Sequence, residues 1–157
     1  INDYDAHVEF IQGRDTFVFS GQLHSYARVV PMDGRPHLPT ALQQWWGDSR
    51  GRWEGNTLVI ETINFKDEHY RYLRGADQNM RLTERFTRVE PDVLLYEYTV
   101  DNPTAYTKPW TAAFYMKKAD DLRVYPYDCI SSNRVIELSL GAARAEEKAA
   151  AEAAKKK

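Results

Sequence analysis

The feature that most constrains the fold is a glycine-asparagine pair set between two β-favouring runs. Gly55-Asn56 separates Gly51–Glu54 from Thr57–Phe65, and a two-residue loop of this kind is typical of the tight turn in an antiparallel hairpin. The sequence therefore predicts a hairpin over residues 48–65. The loop also determines the expected cross-strand pairs, which are Trp53 with Leu58, Arg52 with Val59, and Arg50 with Glu61.

A second hairpin is predicted around Glu90-Pro91-Asp92, which lies between Met80–Val89 and Val93–Val100. With a loop from Glu90 to Asp92, the expected pairs are Phe86 with Tyr96, Glu84 with Tyr98, Leu82 with Val100, Arg85 with Glu97, and Thr83 with Thr99. Glu84 then lies on an apolar, aromatic face. A carboxyl group there must be hydrogen-bonded or have a raised pKa. Glu84 is therefore either a general acid/base or a structural residue satisfied by a tyrosine or an arginine.

Further β-favouring runs recur at short spacing, separated by turn-forming residues. They are Thr16–Leu23, Ala27–Met32, Trp110–Met116 and Leu122–Tyr127, with Val135–Leu140 as a last strand or turn and Pro39–Trp46 as a short helix. About seven to nine short strands at this spacing predict a mostly β protein. Its architecture is either an antiparallel barrel, for example of the lipocalin type, or a sandwich.

The last sixteen residues differ in composition from the rest of the chain. Residues 142–157 are half alanine, with five basic and three acidic side chains, which favours a helix but provides no apolar face to bury. We therefore expect a single β domain over residues 1–141, followed by a helical or disordered tail. The chain begins at Ile1 without an initiator methionine, so it is expected to be a processed or truncated piece of a longer product.

Charge and composition exclude several classes of function. The formal net charge is -2, and because the tail is basic, residues 1–141 carry the excess of acidic groups. A domain with an excess of acidic groups lacks the positively charged surface that binds a phosphate backbone, so nucleic acid is not an expected partner. No apolar run approaches the ~20 residues that a membrane-spanning helix needs. A single cysteine, Cys129, cannot form a disulfide within the chain.

No motif for a metal or a cofactor is present. The four histidines are scattered without metal-ligand spacing; they are His7, His24, His37 and His69. The serines form no nucleophile elbow, and the chain has no phosphate-binding or dinucleotide-binding fingerprint. Cys129 is interpreted as a small buried side chain. We therefore predict no metal and no cofactor.

Aromatic and charged side chains provide the candidate binding residues. The chain has 10 Tyr, 6 Phe and 4 Trp, which serve either as core residues or as platforms that stack on planar ligands. In the first hairpin, Asp48, Arg50, Arg52 and Glu61 share one face, which is either a charged pocket or an outer surface with cross-strand ion pairs. Tyr106 lies in a turn-rich loop, where binding residues are common.

Several motifs resemble those of a known family. They are Asp33-Gly34-Arg35-Pro36-His37, the run W-G-D-S-R-G-R-W-E-G-N-T-L-V from Trp46 to Val59, Thr83-Glu84-Arg85-Phe86, and the run D-N-P-T-A-Y-T-K-P-W-T from Asp101 to Thr111. Together they resemble a large family of uncharacterised bacterial proteins that is abundant in acidobacteria and proteobacteria. The resemblance covers nearly the whole chain up to its tail. It implies export from the cell, since family members usually carry secretion signals, but it implies no reaction.

The chain departs from the family pattern at histidine positions. Members commonly read Leu-His-Val-x-Glu-Arg where this chain has Met80 to Arg85, and they have histidine and glutamate after the cysteine where this chain has Ile130 to Asn133. Members also have a histidine three residues before the arginine that corresponds to Arg28, where this chain has Ser25. The loss of these side chains favours recognition or scaffolding over metal catalysis.

Three functions follow as hypotheses. The first is an exported domain that binds a small molecule or a carbohydrate. The second is a hydrolase or lyase in which Glu84 is the general acid/base and Arg50 or His37 stabilises developing charge. The third is a structural subunit of an extracellular assembly, including a homo-oligomer. The candidate catalytic residues are Glu84 and His37, and the candidate ligand-binding residues are Trp46, Asp48, Arg50, Trp53, Arg85, Tyr98, Tyr106 and Trp110.

Overall fold

The computed structural model describes residues 7–21, 27–66, 76–123 and 135–154. These residues form strands β1 (Val8–Gln12), β2 (Thr16–Gly21), β3 (Ala27–Pro31), β4 (Asp48–Glu54), β5 (Thr57–Ile63), β6 (Arg81–Glu90), β7 (Val93–Asp101) and β8 (Trp110–Lys117), and helix α1 (Val135–Ala154). The prediction of a mostly β, antiparallel protein with a C-terminal helix is confirmed. The sequence analysis did not identify β1.

The strands form two open antiparallel sheets. The first has the order β1-β2-β3 and the second the order β4-β5-β6-β7-β8, so every strand pairs with a neighbour in the sequence. Neither sheet closes on itself within the described residues. Of the two predicted architectures, the sandwich therefore fits and the barrel does not.

Both predicted hairpin registers are confirmed. Trp53 pairs with Leu58 across β4 and β5, and Glu84 pairs with Tyr98 across β6 and β7. The second turn is shorter than predicted, because Glu90 itself pairs with Val93. The register shifts between Arg88 and Glu90, and this β-bulge restores the pairing that a loop from Glu90 to Asp92 predicts.

The two sheets meet in an aromatic main core. Phe19 of the first sheet contacts Phe86 of the second with ring centroids 5.3 Å apart, and Phe86 stacks on Tyr96 at 4.5 Å. The buried members of the main core are Phe17, Phe19, Val30, Leu58, Ile60, Phe86 and Tyr96. Large rings on alternating positions of paired strands bury much apolar area, which holds the two sheets together.

A second core lies on the same face of the larger sheet, toward the other ends of its strands. Its buried members are Phe65, Met80, Leu82 and Val100, and Tyr98 and Tyr106 pack against it. Tyr98 also packs against the main core. The face that carries both cores is called the inner face below, and the opposite face the outer face.

Two local predictions differ from the structure. Residues 39–46 form turns and an isolated bridge between Gln44 and Phe65 instead of a helix. The backbone N–H of Gln44 donates to the carbonyl of Asn64 at 2.9 Å, and its carbonyl accepts from Lys66 at 2.9 Å. This pairing with a distant segment outweighs the local helical preference. Residues 135–140 begin α1 instead of forming a strand.

The remaining predictions for the C-terminal part are met only in part. Leu122 closes a turn, because its N–H donates to the carbonyl of Ala119 at 3.2 Å. Residues 124–127 of the predicted strand lie outside the described residues, as does Cys129. The chain divides into two compact units, residues 1–126 and 127–157. No helix in the described part of the chain is long and apolar enough to span a membrane.

Candidate functional site

The candidate residues fall into three groups. We call them the buried network, the outer polar cluster and the aromatic patch. The buried network contains Arg28, Ser49, Thr62, Glu84 and Tyr96. The outer polar cluster contains His37, Asp48, Arg50, Glu61 and Arg81. The aromatic patch contains Tyr98, Tyr106, Trp110, Ala112 and Phe114.

The buried network surrounds the carboxylate of Glu84, which is completely buried on the inner face. One carboxylate oxygen accepts from the guanidinium of Arg28, and the other accepts from the Tyr96 hydroxyl at 2.9 Å. Arg28 also donates to Ser49 Oγ at 3.0 Å and to Thr62 Oγ1 at 2.8 Å. Both oxygens of Glu84 therefore have donors, and among the described residues the guanidinium of Arg28 donates to Ser49 and Thr62 as well as to Glu84.

Opposing effects act on the pKa of Glu84. Burial raises it, but the charge of Arg28 and the hydrogen bonds from Arg28 and Tyr96 outweigh burial, so the pKa of Glu84 lies below its usual value. Burial and the neighbouring carboxylate raise the pKa of Tyr96. Glu84 is therefore an ionised, fully paired carboxylate at neutral pH. This arrangement matches the structural interpretation, in which an arginine and a tyrosine satisfy the carboxylate, and it does not provide a proton donor.

The outer polar cluster crosses three strands of the larger sheet. Asp48, which is 5% exposed, has Oδ2 2.9 Å from His37 Nδ1 and accepts at Oδ1 from Arg50 Nη1 at 2.6 Å. His37 Nε2 faces Glu61 Oε1 at 3.5 Å, and Arg81 donates to Glu61 Oε2 at 2.6 Å. The cluster is therefore a row in which basic and acidic side chains alternate, and each ring nitrogen of His37 faces a carboxylate.

The same cluster fastens the segment before β4 to the edge of the sheet. The Leu38 N–H donates to Asp48 Oδ2 at 2.8 Å, and Arg50 Nε donates to the Pro36 carbonyl at 2.9 Å. Asn64 Nδ2 donates to the Leu38 carbonyl at 2.8 Å. Most polar atoms of Asp48 and Arg50 are thus committed to the fold. The hydrogen bonds of this cluster therefore anchor a chain segment to the sheet, and the His37 ring lies at its surface.

Replacing Asp48 by asparagine tests this anchoring. Burial raises the pKa of Asp48, but the Leu38 N–H, His37 and Arg50 outweigh burial and lower it, so Asp48 is ionised at neutral pH. Asp48→Asn removes the charge from these contacts and is expected to lower the free energy of unfolding by about 1 to 2 kcal/mol. Chemical denaturation followed by circular dichroism measures the change.

Asp33→Asn is the matched control. Asp33 also pairs with an arginine, Arg35, but the pair is exposed, and exposed pairs contribute little because water and salt screen them. The control is expected to leave the free energy of unfolding nearly unchanged. Equal effects of the two substitutions would contradict an anchoring role for Asp48.

The other charged and indole candidates lie around the first hairpin. Arg85 donates to Glu54 at 3.0 Å on the outer face, and Arg52 donates to the same carboxylate at 2.7 Å. This matches the interpretation of the outer face as a surface with cross-strand ion pairs. Trp53 is 49% exposed at the end of β4, and Trp46 is half-buried in the turn before β4.

The aromatic patch lies on the inner face at β7 and β8. Trp110, Ala112 and Phe114 alternate along β8, so their side chains share this face, with the Cα atoms of Trp110 and Phe114 about 13 Å apart. Tyr98 is the cross-strand partner of Ala112. Trp110 is 36% exposed and Phe114 44% exposed. Because the side chain of Ala112 is only a methyl group, the surface between the rings of Trp110 and Phe114 lies closer to the sheet than the rings do.

Edge-to-face ring contacts hold the patch in place. The ring centroids of Tyr98 and Tyr106 lie 5.6 and 5.8 Å from that of Trp110, and Tyr96 contacts Phe114 at 5.0 Å. Tyr106 is positioned by its loop, since its N–H donates to the carbonyl of the buried Asn102 at 2.9 Å. Ring contacts therefore restrain the patch, although its two most exposed rings, Trp110 and Phe114, are open to solvent.

The sheet order separates the patch from the outer polar cluster. Asp48 and Arg50 lie on β4, whereas Trp110 and Phe114 lie on β8, and these strands are the opposite edges of the larger sheet, four strand spacings or about 19 Å apart. The two groups also lie on opposite faces. The structure thus brings together Tyr98, Tyr106 and Trp110, and separately His37, Asp48 and Arg50, and no single small ligand can contact both groups.

Sequence reasoning missed several residues of these groups. Arg28 is 56 positions from Glu84, and only the fold of the smaller sheet over the larger one brings them together. The sequence offered only the presence of an arginine within the β-favouring run Ala27–Met32. Phe114 and Ala112 had a clearer signal, because the alternation of β8 places them on the same face as Trp110.

Within the part of the chain that the structure describes, no group of three histidine, cysteine or acidic side chains is placed to share a metal ion. Comparison with protein-family models, with curated proteins and with solved structures found no match to this chain.

Proposed function

We propose that this protein is an exported ligand-binding domain whose aromatic patch stacks on a small molecule or a carbohydrate. The observation that carries the proposal is the exposure of Trp110 and Phe114, 36% and 44%, on the sheet face that otherwise forms the core. Large rings held rigidly at a surface bind planar ligands at a low cost in side-chain entropy. Export, which the family resemblance implies, would bring such a patch into contact with extracellular carbohydrate.

Polar groups next to the rings support the same function. Tyr98 and Tyr106 each carry a hydroxyl at the end of an aromatic ring that packs against Trp110. Binding sites for small molecules commonly combine apolar rings with a few polar groups of this kind. Because both tyrosines pack against the second core, the patch is preorganised, which favours affinity.

A hydrolase or lyase is the second candidate, because His37 and Asp48 form a pair in which a carboxylate orients an imidazole ring. Glu84 does not support this candidate, since both of its oxygens are engaged inside the protein. An assembly subunit is the third candidate, because the edge strand β8 exposes Tyr115 by 71% on the outer face.

Removing either large ring of the patch is expected to weaken binding at least about tenfold, or about 1.4 kcal/mol. Trp110→Ala and Phe114→Ala each remove stacking area at the surface without opening the main core. Isothermal titration calorimetry with a neutral β-1,4-linked glucose oligosaccharide measures the affinity, and unfolding curves establish that both variants are folded.

Tyr115→Ala is the matched control, because Tyr115 is the most exposed of the large hydrophobic residues and lies on the same strand but on the outer face. It is expected to leave the affinity unchanged. Equal losses in all three variants, or no loss in any of them, would argue against the aromatic patch as the binding site.

A further inference from the structure

The motif from Asp33 to His37 contains an aspartate-glycine step that the proposed function does not use. Asp33 and Gly34 are both exposed, and they lie in the connection between β3 and β4. Gly34 has φ +75°, and among the described residues no atom lies within 4 Å of a Cβ atom built there. The peptide bond between the two residues is therefore open to water, and no side chain on residue 34 shields it.

An aspartate that precedes a glycine can rearrange without an enzyme. The backbone nitrogen of Gly34 attacks Cγ of Asp33, and loss of one water closes a succinimide ring. Return of one water opens the ring either at Cγ, which restores aspartate, or at the main-chain carbonyl, which yields isoaspartate. The attack is intramolecular, so the chain itself supplies the proximity of the reacting atoms. It proceeds on the protonated carboxyl group, because a carboxylate is a poor electrophile.

Arg35 holds the carboxylate of Asp33 in its ionised form. Arg35 Nε lies 2.9 Å from Oδ1 and 2.8 Å from Oδ2 of Asp33, and Nη2 donates to Oδ2. The backbone N–H of Arg35 also donates to Oδ1, at 3.2 Å. These hydrogen bonds, from the side chain first and then from the backbone, lower the pKa of Asp33 to about 2. They also fix the direction of the carboxylate, because both of its oxygens are engaged by residue 35.

The chain on either side of the aspartate-glycine step is held by the fold. Before it, the Met32 N–H donates to the Asp15 carbonyl at 2.9 Å. After it, Arg50 Nε donates to the Pro36 carbonyl at 2.9 Å. Ring closure therefore has to turn the backbone between two points that are held. Isoaspartate would also lengthen the main chain by one carbon between these points.

From these contacts we infer that Asp33-Gly34 is a modification site at which isoaspartate forms spontaneously, and that Arg35 restrains the reaction by keeping the carboxylate ionised and fixed. Water is the only co-reactant, since one molecule leaves when the ring closes and one returns when it opens. This chemistry is separate from ligand binding at the aromatic patch.

Arg35→Gln tests the restraint, because glutamine is polar but carries no charge. The wild-type protein and the variant are incubated at about pH 5, above the usual pKa of aspartate, and isoaspartate at residue 33 is quantified by peptide mapping and mass spectrometry. Isomerisation is expected to be at least about fivefold faster in the variant, because above its pKa the protonated fraction of a carboxyl group rises about tenfold for each unit by which the pKa rises. Circular dichroism establishes that the variant is folded.

Arg52→Gln is the matched control. Arg52 also pairs with an acidic residue two positions away, Glu54, and the pair is exposed, but it does not contact Asp33. The control is expected to isomerise at residue 33 as slowly as the wild-type protein. Equal rates in the wild-type protein and Arg35→Gln, or equal acceleration by both substitutions, would overturn the role of Arg35. Absence of isoaspartate from all three proteins would overturn the site itself.

A parallel incubation in urea identifies the folded contacts as the cause. Unfolding separates Arg35 from its fixed position beside Asp33, so the wild-type protein and Arg35→Gln are expected to isomerise at the same, faster rate. A difference between them that persisted in urea would show that the arginine acts without the folded contacts, and it would overturn the inference.

Discussion

Glu84→Ala is expected to lower the free energy of unfolding by about 3 to 5 kcal/mol. The substitution removes a completely buried carboxylate and leaves the guanidinium of Arg28, 11% exposed, without its charged partner. It also leaves the Tyr96 hydroxyl without its acceptor. A buried charge that has lost its partner is among the most destabilising changes in a protein interior. Chemical denaturation at neutral pH measures the change.

Two further variants identify the cause of this effect. Glu97→Ala removes a glutamate from the neighbouring strand on the outer face, and it is expected to cost less than about 0.5 kcal/mol. Arg28→Met combined with Glu84→Met removes both charges and is expected to recover part of the loss, since neither charge is then buried alone. A double variant no more stable than Glu84→Ala would show that the loss comes from packing.

The effect should also depend on pH. Because the pKa of Glu84 is lower in the folded protein than its usual value, the carboxylate contributes stability above the usual pKa of glutamate, about 4.3. That contribution is lost as the pH falls through the lower pKa of the folded state. The difference in stability between the wild-type protein and Glu84→Ala is therefore expected to shrink in strong acid.

Gly47→Ala is expected to lower the free energy of unfolding by about 2 to 4 kcal/mol. Gly47 has φ +68°, where a Cβ atom is strained. A Cβ atom there would also lie 2.5 Å from Thr62 Cγ2 and 2.9 Å from the Ile63 carbonyl oxygen. The carbonyl belongs to β5 and cannot move without disturbing the sheet. Thermal and chemical unfolding measure the loss.

Gly55→Ala separates strain from crowding. Gly55 has a similar φ, +62°, but no atom lies within 4 Å of a Cβ atom built there. Only the strain of the left-handed conformation applies, and the expected cost is about 1 kcal/mol. If Gly47→Ala cost no more than Gly55→Ala, the close approach of β4 and β5 at Gly47 would have no energetic consequence.

The pairing of strands within hairpins could be predicted because short turns determine it locally. A two-residue turn at Gly55-Asn56 allows only one register between β4 and β5. In the second hairpin, the position of Pro91 in the turn predicted the pair Glu84–Tyr98. The alternation of side chains then assigned Glu84 to an apolar face, where the structure places it. These inferences need only neighbouring residues.

The composition of the sites could not be predicted because it depends on contacts between distant segments. Nothing near Glu84 in the sequence indicates Arg28 as its partner, and the segment around Gln44 forms no helix because it pairs with Phe65. The separation of Arg50 from Trp110 follows from strand order, which hairpin registers alone do not determine. Prediction of the aromatic patch would also have required the knowledge that β8 is an edge strand.

The sequential strand order has a consequence for folding kinetics. Each described strand pairs with its neighbour in the chain. The β4–β5 and β6–β7 pairings close through two-residue turns at a low entropic cost, and tight hairpins of this kind form in microseconds. Docking of the three-stranded sheet on the five-stranded sheet is a non-local step. That step brings Arg28 to Glu84, and because a misdocked arrangement would bury the Glu84 carboxylate without this guanidinium, we expect the ion pair to favour the correct arrangement as the chain folds.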